Sequence, residues 1–285
     1  MNKMLNIGTL TGKLLIFGGA YSNLQAVEAL RQVARQEGID PTRVLCTGDS
    51  VGYCADPEAV VQVLKEWGIR SIAGNVEVNL RDKVANCGCN FRQGGRCDLL
   101  SNNWYSYAQS ELSEDSLAWI GQLPDQIVFR YAGKRIQLLH GSARNLSEFV
   151  FPSSDEEVKL HSFSLTGADV ILAGHSGIPF VQEMEEKIWL NAGVIGMPAN
   201  DGTPRTWYCI INDTDGIFTW DLQPLHYSYK GASQAMSSTS LPSCYARSLV
   251  TGVWDNMEIL PEAERLRQGI PLAFSPVFNH SPLTQ

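Results

Sequence analysis

The sequence predicts an α/β fold built around a mainly parallel sheet. Two observations support this prediction. Between residues 13 and 73, short apolar segments alternate with amphipathic ones, which is the pattern of successive β-α-β units. The apolar segments are followed by glycines, a turn signal that is typical of the ends of buried strands.

The elements of the first half follow this pattern in order. The predicted strands are 13–17, 43–47 and 70–73. Residues 24–30 repeat apolar side chains three and four positions apart, which indicates a helix. Asp56 and Pro57 suit the cap and the first turn of a second helix, which extends to Trp67.

The rest of the chain predicts further strands and helices without a clear domain boundary. An irregular stretch rich in Gly and Cys covers 82–98. Helices are predicted at 98–110, 113–123 and 154–164. Strands are predicted at 126–131, 135–139, 170–173, 187–191, 206–212 and 217–222. We expect a single domain over 1–285, in which 224–285 is a C-terminal extension that packs on the remainder.

Composition and charge exclude several classes of protein. The 285 residues include 22 Lys and Arg against 30 Asp and Glu, which gives a net charge of −8. Nonspecific nucleic-acid binding needs a basic surface, so we expect no nucleic-acid partner. No apolar run reaches the length of a membrane helix, so we expect no membrane partner. Without an export signal, the expected location is the cytoplasm, and the oligomeric state stays open.

Four predicted strands are followed or ended by a glycine paired with a polar residue. These pairs are Gly48-Asp49, Gly74-Asn75, His140-Gly141 and Gly174-His175. The carboxyl ends of parallel strands form the ligand crevice of an open α/β sheet, so we expect the four polar side chains to converge. Carboxylate, amide and imidazole donors together suit a divalent ion such as Mn, Fe or Zn.

The order of these motifs resembles the calcineurin-like metallophosphoesterase superfamily, most closely its small bacterial branch. The resemblance spans roughly residues 13 to 260. It is carried by Thr-Gly-Asp at 47–49, Gly-Asn-Val-Glu at 74–77, His-Gly-Ser at 140–142, Gly-His-Ser-Gly at 174–177 and Asn-Ala-Gly-Val-Ile-Gly-Met-Pro at 191–198. It implies a four-layer α-β-β-α sandwich, in which two central sheets are flanked by helices.

The chain departs from the family at the ligands of the first metal. The Asp and His of the first family motif fall on Gly19 and Tyr21, and the second His of the last motif falls on Gly177. The resemblance implies that the second metal keeps its complete protein ligand set. We therefore expect one metal ion, bound by Asp49, Asn75, His140 and His175.

The third family motif also departs from its usual form. Its His, which in the family helps to protonate the leaving oxygen, is Val76 here, and Glu77 follows it. Loss of a general acid costs about 10²–10⁴-fold in rate. We nevertheless assign catalytic roles to Asp49, Asn75, Glu77 and His140.

Two arginines are candidates for holding the phosphate of a small phosphorylated molecule. A guanidinium binds phosphate through two parallel hydrogen bonds, and Arg144 and Arg205 each follow a family motif. The alternative is that both are ordinary surface arginines.

Four of the seven cysteines lie in two loops that leave the same sheet edge. A second metal or redox cluster is therefore a hypothesis for Cys54, Cys87, Cys89 and Cys97. Four thiolates suit Zn or an iron–sulfur cluster, although the spacing matches no standard pattern. The alternatives are reduced loop thiols, with or without a labile disulfide, and a redox-reactive thiol at the mouth of the site.

Together, these observations predict a divergent metal-dependent phosphoesterase that hydrolyses a phosphate ester. The alternative is a catalytically inactive protein on the same scaffold. Such a protein would bind a ligand, or would sense metal or redox state through its cysteines.

Overall fold

Two sheets pack face to face in the computed structural model, which describes residues 3–274. The strands are β1 Met4–Thr9, β2 Leu14–Phe17, β3 Val44–Cys46, β4 Arg70–Ser71, β5 Gln126–Tyr131, β6 Lys134–Leu138, β7 Val170–Ala173, β8 Phe180–Met184, β9 Lys187–Asn191, β10 Thr206–Asn212 and β11 Thr219–Leu225. The α-helices are α1 Leu24–Gln36, α2 Pro57–Trp67, α3 Asn75–Arg81, α4 Arg96–Glu111, α5 Glu114–Gln122, α6 Glu156–Thr166, α7 Tyr229–Ser237, α8 Ser243–Thr251 and α9 Glu262–Arg265.

Each sheet contains one run of three parallel strands. One sheet has the order β1-β5-β6-β7-β9-β8 and the other has the order β11-β10-β2-β3-β4. The strands β2, β3 and β4 pair in parallel, as do β6, β7 and β9. Antiparallel pairs are added by β10 with β11 and by β8 with β9. The pairs β2 with β10 and β5 with β6 are antiparallel as well. The expected parallel arrangement therefore holds for three strands of each sheet.

The two faces of β2 show how the sequence produces the layers. Successive strand residues point to opposite faces. Leu14 and Ile16 pack into the apolar core between the two sheets, whereas Leu15 and Phe17 pack into the core beneath the helices. All four side chains are completely buried, which explains the uninterrupted apolar run.

Helices cover the outer face of each sheet. Val27 of α1 and Leu64 of α2 share a buried cluster with the outward side chains of β2 and β3. On the other sheet, Phe163 of α6 packs with Ile171 and Trp189. The predicted α-β-β-α sandwich is confirmed.

The C-terminal helices share a core with the body of the protein. Met236 of α7 and Leu249 of α8 are buried in one cluster with Val51 and with Trp104 of α4. This packing brings the stretch after α8 to the carboxyl edge of the sheets. Residues 275–285 of the expected extension lie outside the described residues. Within residues 3–274, no helix has the length and apolarity needed to cross a membrane.

The core between the sheets generates a stability prediction. We expect Ile16→Ala, which removes a completely buried side chain, to lower the free energy of unfolding by about 2–5 kcal/mol. Leu160→Ala on the outer face of α6, where Leu160 is 44% exposed, should change it by about 0.5 kcal/mol or less. Urea denaturation measures both values, and equal losses would contradict this account of the core.

Candidate metal centre

Four buried polar side chains meet at the carboxyl edge of the two sheets. Asp49 follows β3, Asn75 begins α3 just after β4, His140 follows β6 and His175 follows β7. Each is at most 6% exposed. The strand ends therefore bring together the four residues that the sequence marks as metal ligands.

The spacing of their donor atoms is that of ligands around one metal ion. The His140 Nε2 atom lies 3.0 Å from Asn75 Oδ1, 3.1 Å from His175 Nδ1 and 3.2 Å from Asp49 Oδ2. With metal–ligand bonds of about 2.1 Å, neighbouring ligands of an octahedral ion are about 3 Å apart. Within residues 3–274, Asp49, His140 and His175 form the one group of three Asp, Glu, His or Cys ligand atoms that lie within 4.8 Å of one another.

Hydrogen bonds behind the ligands turn their acceptor atoms inward. The Nδ1 atom of His140 lies 2.6 Å from the Thr47 carbonyl, to which it donates, so Nε2 faces the centre. The amide nitrogen of Asn75 donates to the Cys87 carbonyl at 2.8 Å and to Cys89 Sγ at 3.2 Å. Oδ1 of Asn75 is thereby directed at His140. Acceptors that face one another in this way fit a cation.

The backbone around the ligands is unusually tight. Asp49 and His175 have φ values of 58° and 62°, in the left-handed region that is costly for residues with a side chain. A Cβ on Gly74 would lie 2.2 Å from Asp49 Oδ1, and one on Gly48 would lie 2.5 Å from the Gly74 nitrogen. Glycine at both positions is therefore required for the two loops to approach.

Glu77 supports the loops from behind. It is completely buried, and its carboxylate accepts hydrogen bonds from the backbone nitrogens of Asp49 at 2.9 Å, Ser50 at 2.7 Å and Gly74 at 2.8 Å. Burial and the negative charge of Asp49 raise the pKa of Glu77 to about 7, although the backbone donors oppose this shift. The Glu77 carboxylate therefore binds backbone N–H groups. It does not face the centre at which Asp49, Asn75 and His140 meet.

The protonation states of two ligands favour metal binding. Burial and the nearby His140 lower the pKa of His175 to about 3, so this imidazole is neutral near pH 7. Burial raises the pKa of Asp49, but the positive charge of protonated His140 and its hydrogen bond outweigh that effect, and the net shift is downward. Burial lowers the pKa of His140, but the charge and hydrogen bond of Asp49 outweigh that effect and the net shift is upward, so a metal ion would displace a proton from Nε2. A carboxylate and a neutral imidazole are the forms that coordinate metal.

Aromatic rings fill the space beside the residues that replace the first metal's ligands. A Cβ on Gly19 would lie 2.5 Å from Cε1 and 2.6 Å from Cζ of the Tyr21 ring. A Cβ on Gly177 would lie 3.6 Å from the Trp254 ring. Tyr21 packs edge-on against Tyr53, with the ring centroids 4.7 Å apart.

The structure separates the four cysteines of the expected cluster. The backbone nitrogen of Cys89 donates to Cys87 Sγ at 3.3 Å, so these two thiols lie together beside Asn75. Cys97 Sγ lies 2.9 Å from Asn256 Oδ1, and Cys54 Sγ is buried 3.7 Å from the Gly196 carbonyl. In the described part of the chain, no group of three ligand atoms includes a cysteine, so the structure does not form the four-thiol site. The loop paths direct Cys54 and Cys97 to other partners.

Neither predicted phosphate-binding arginine lies at the metal centre. Arg144 is exposed, beside the acidic Glu148 and Asp155 in a separate surface depression. Arg205 donates to Asp201 at 3.2 Å and lies over the Trp207 ring, 4.8 Å from its centroid. The structure therefore gives Arg205 an internal partner and leaves Arg144 away from the site.

A small cavity adjoins the centre and was not anticipated from the sequence. Its volume is about 90 Å³, and Asp49 and His175 contribute to its lining. Its aromatic walls are Tyr21, Tyr53, Phe91, Phe149, Tyr245 and Trp254. These rings come from separate loops and from the C-terminal segment, so no local sequence pattern could have indicated that they meet.

The role of Glu77 generates a prediction. In Glu77→Gln, one carboxylate oxygen becomes an amide donor that faces backbone N–H groups, so we expect a loss of about 1–3 kcal/mol in the free energy of unfolding. Glu66→Gln, which changes an exposed residue of α2, should cost about 0.5 kcal/mol or less. Thermal or urea unfolding of the two variants provides the comparison. Equal stability of the two would show that the buried carboxylate does not hold the loops.

Comparison with known proteins identifies relatives of this fold and sequence. The family profile of the calcineurin-like phosphoesterase superfamily domain matches residues 13–215. An uncharacterized protein from Methanocaldococcus jannaschii is 25% identical over 256 residues, which cover 84% of this chain and 98% of the relative.

Two crystal structures share the fold over nearly their whole length. A metallophosphoesterase from Sphaerobacter thermophilus superposes with a TM-score of 0.66 at 19% identity, covering 86% of this chain and 100% of the other. A hypothetical protein from Pyrococcus horikoshii superposes with a TM-score of 0.70 at 14% identity, covering 85% and 99%. The profile match supports metal-dependent phosphoesterase chemistry. Because that profile spans most of the chain, the protein belongs to the calcineurin-like phosphoesterase superfamily.

Proposed function

We propose that the protein hydrolyses a phosphate ester with one divalent metal ion, bound by Asp49, Asn75, His140 and His175. The observation that carries this proposal is the set of three acceptor atoms 3.0–3.2 Å from His140 Nε2. Two imidazoles, one amide oxygen and one carboxylate suit Mn, Fe or Zn. An ion bound there would polarise a phosphoryl oxygen and lower the pKa of a bound water.

A single ion is supported by what surrounds the other family position. Gly19 and Gly177 offer no side-chain donor, and the rings of Tyr21 and Trp254 lie against them. Tyr21 remains a phenol, because burial and the charge of Asp49 raise its pKa well above the ordinary value. A neutral phenol is a poor metal ligand compared with an imidazole or a carboxylate.

Tyr21 can take over part of the lost electrostatic stabilisation. Its side chain lines the cavity next to Asp49, and its hydroxyl is a hydrogen-bond donor. In the proposed reaction this hydroxyl donates to a phosphoryl or leaving oxygen, while Asn75 and His140 hold their positions through the bonds behind them. The apolar cavity walls exclude water around these groups, which strengthens each polar contact.

One observation favours the alternative of ligand binding without turnover. Val76 stands where the family has its proton-donating His, and this valine is 1% exposed. An apolar side chain supplies no proton, so a chain that binds a phosphorylated molecule tightly without cleaving it fits the same geometry. The partner in both proposals is a small phosphorylated molecule, and the proposed location is the cytoplasm.

Hydrolysis of generic esters separates the two proposals. We expect the protein to release 4-nitrophenol from bis(4-nitrophenyl) phosphate or 4-nitrophenyl phosphate in the presence of Mn²⁺, Fe²⁺ or Zn²⁺. Asp49→Asn should lower kcat/KM by about 10²-fold or more, because it removes the one anionic ligand. Asp82→Asn, the same substitution at an exposed position, should leave the rate unchanged. Absence of turnover with all three metals would overturn the hydrolase in favour of the binding protein.

A further inference from the structure

The cavity beside the metal centre has the character of a binding site for an aromatic ring. We propose that it takes the aryl group of an aromatic phosphoester, whose phosphoryl group then lies at the metal centre. This inference rests on the proposed metal-dependent function and adds the substrate class to it. The cavity has a volume of about 90 Å³, which is on the order of the volume of one six-membered ring.

The aromatic lining of the cavity begins at His175, one of the proposed metal ligands. The ring of Phe149 stacks on His175, with centroids 4.2 Å apart and planes inclined by 22°. Phe91 stacks beside Phe149 at 6.2 Å. Two further rings of the lining, Tyr53 and Tyr245, pack edge-on with centroids 5.1 Å apart. A planar ring between these walls gains stacked and edge-on contacts in addition to the burial of its area.

The charges of the lining argue against recognition by phosphate contacts alone. Among the described residues that line the cavity there is no Lys or Arg, and its acidic side chains are Asp49 and Asp255. Asp255 is paired with Arg96 and with Arg247. A substrate with several phosphates would therefore meet no cation among the lining side chains beyond the proposed metal ion. The affinity that the cavity can supply therefore comes from apolar and aromatic packing.

Part of the wall belongs to a segment beyond the family match. Tyr245, Trp254 and Ile259 line the cavity, whereas the matched domain ends at residue 215. The Trp254 indole donates to the Pro198 carbonyl at 2.7 Å, and its backbone nitrogen donates to Asn200 Oδ1 at 2.8 Å. These bonds hold the wall in place before a ligand arrives. Part of the aryl site thus lies outside the matched domain.

The rim is fastened to the opposite side of the cavity. The Glu258 carboxylate accepts hydrogen bonds from the backbone nitrogens of Arg96 at 2.9 Å and Cys97 at 3.1 Å, at the start of α4. Cys97 Sγ also lies 2.9 Å from Asn256 Oδ1. Because both sides of the opening are tied together, the binding of a ring requires little ordering of the chain.

A pair of phosphonates tests the aryl site by binding alone. Phenylphosphonate and methylphosphonate present the same anionic head group, and neither contains an ester bond to hydrolyse. Titration calorimetry on the Mn²⁺-loaded protein should show phenylphosphonate binding about ten-fold or more tightly than methylphosphonate. Phe91→Ala should reduce this preference to about three-fold. Trp119→Ala, which removes a half-buried ring of α5 outside the cavity, should preserve it.

A second variant keeps the test decisive if Phe91→Ala does not fold. Ile259→Trp places a ring inside the cavity, so it should abolish the preference for phenylphosphonate over methylphosphonate. Equal affinity of wild type for the two phosphonates, or no binding of either, would overturn the aryl site. Hydrolysis of esters together with equal affinity for the two phosphonates would overturn the aryl site and still support the proposed hydrolase. A ten-fold preference without any ester turnover would support the aryl site and remove the hydrolase.

Discussion

The buried carboxylate of Glu77 is the interaction on which the site depends most. It receives three backbone N–H groups from the two loops that carry Asp49 and Asn75. Those loops approach so closely that only glycine fits at positions 48 and 74. A buried charge is tolerated when such donors surround it. The left-handed backbone of Asp49 is held by the same bonds, and the metal ligands keep their spacing as a consequence.

The rest of the centre shows what surrounds the positions at which the ligands of the family's first metal are missing. Loss of donors at Gly19, Tyr21 and Gly177 leaves room that aromatic rings from the first loop and the C-terminal segment fill. Apolar packing thereby replaces coordination bonds on one side, while the acceptors around His140 remain intact on the other. The result is an aromatic cavity that ends at a polar metal centre.

Much of the fold was predictable, because apolar periodicity encodes buried strands and helices directly. β1 was not predicted, since this edge strand is mostly exposed and lacks an apolar run. The convergence of the four polar side chains was predictable because polar residues that follow neighbouring parallel strands must meet at one edge. The support role of Glu77 and the separation of Cys54 from Cys87 were not, because they depend on loop paths that sequence spacing does not encode. The same reason explains why the surroundings of Arg144 and Arg205 were not predicted and why the aromatic cavity was missed.

The number of metal ions per chain tests the central claim most directly. Protein saturated with Mn²⁺ and then freed of excess metal should contain one ion per chain by mass spectrometry. His140→Ala should contain none, because it removes the nitrogen around which the other three ligands are arranged. A Cys87→Ser, Cys89→Ser double variant should retain the ion, since neither thiol belongs to the ligand group. Two ions in the wild type, or an ion that survives in His140→Ala and is lost with the thiols, would contradict the account.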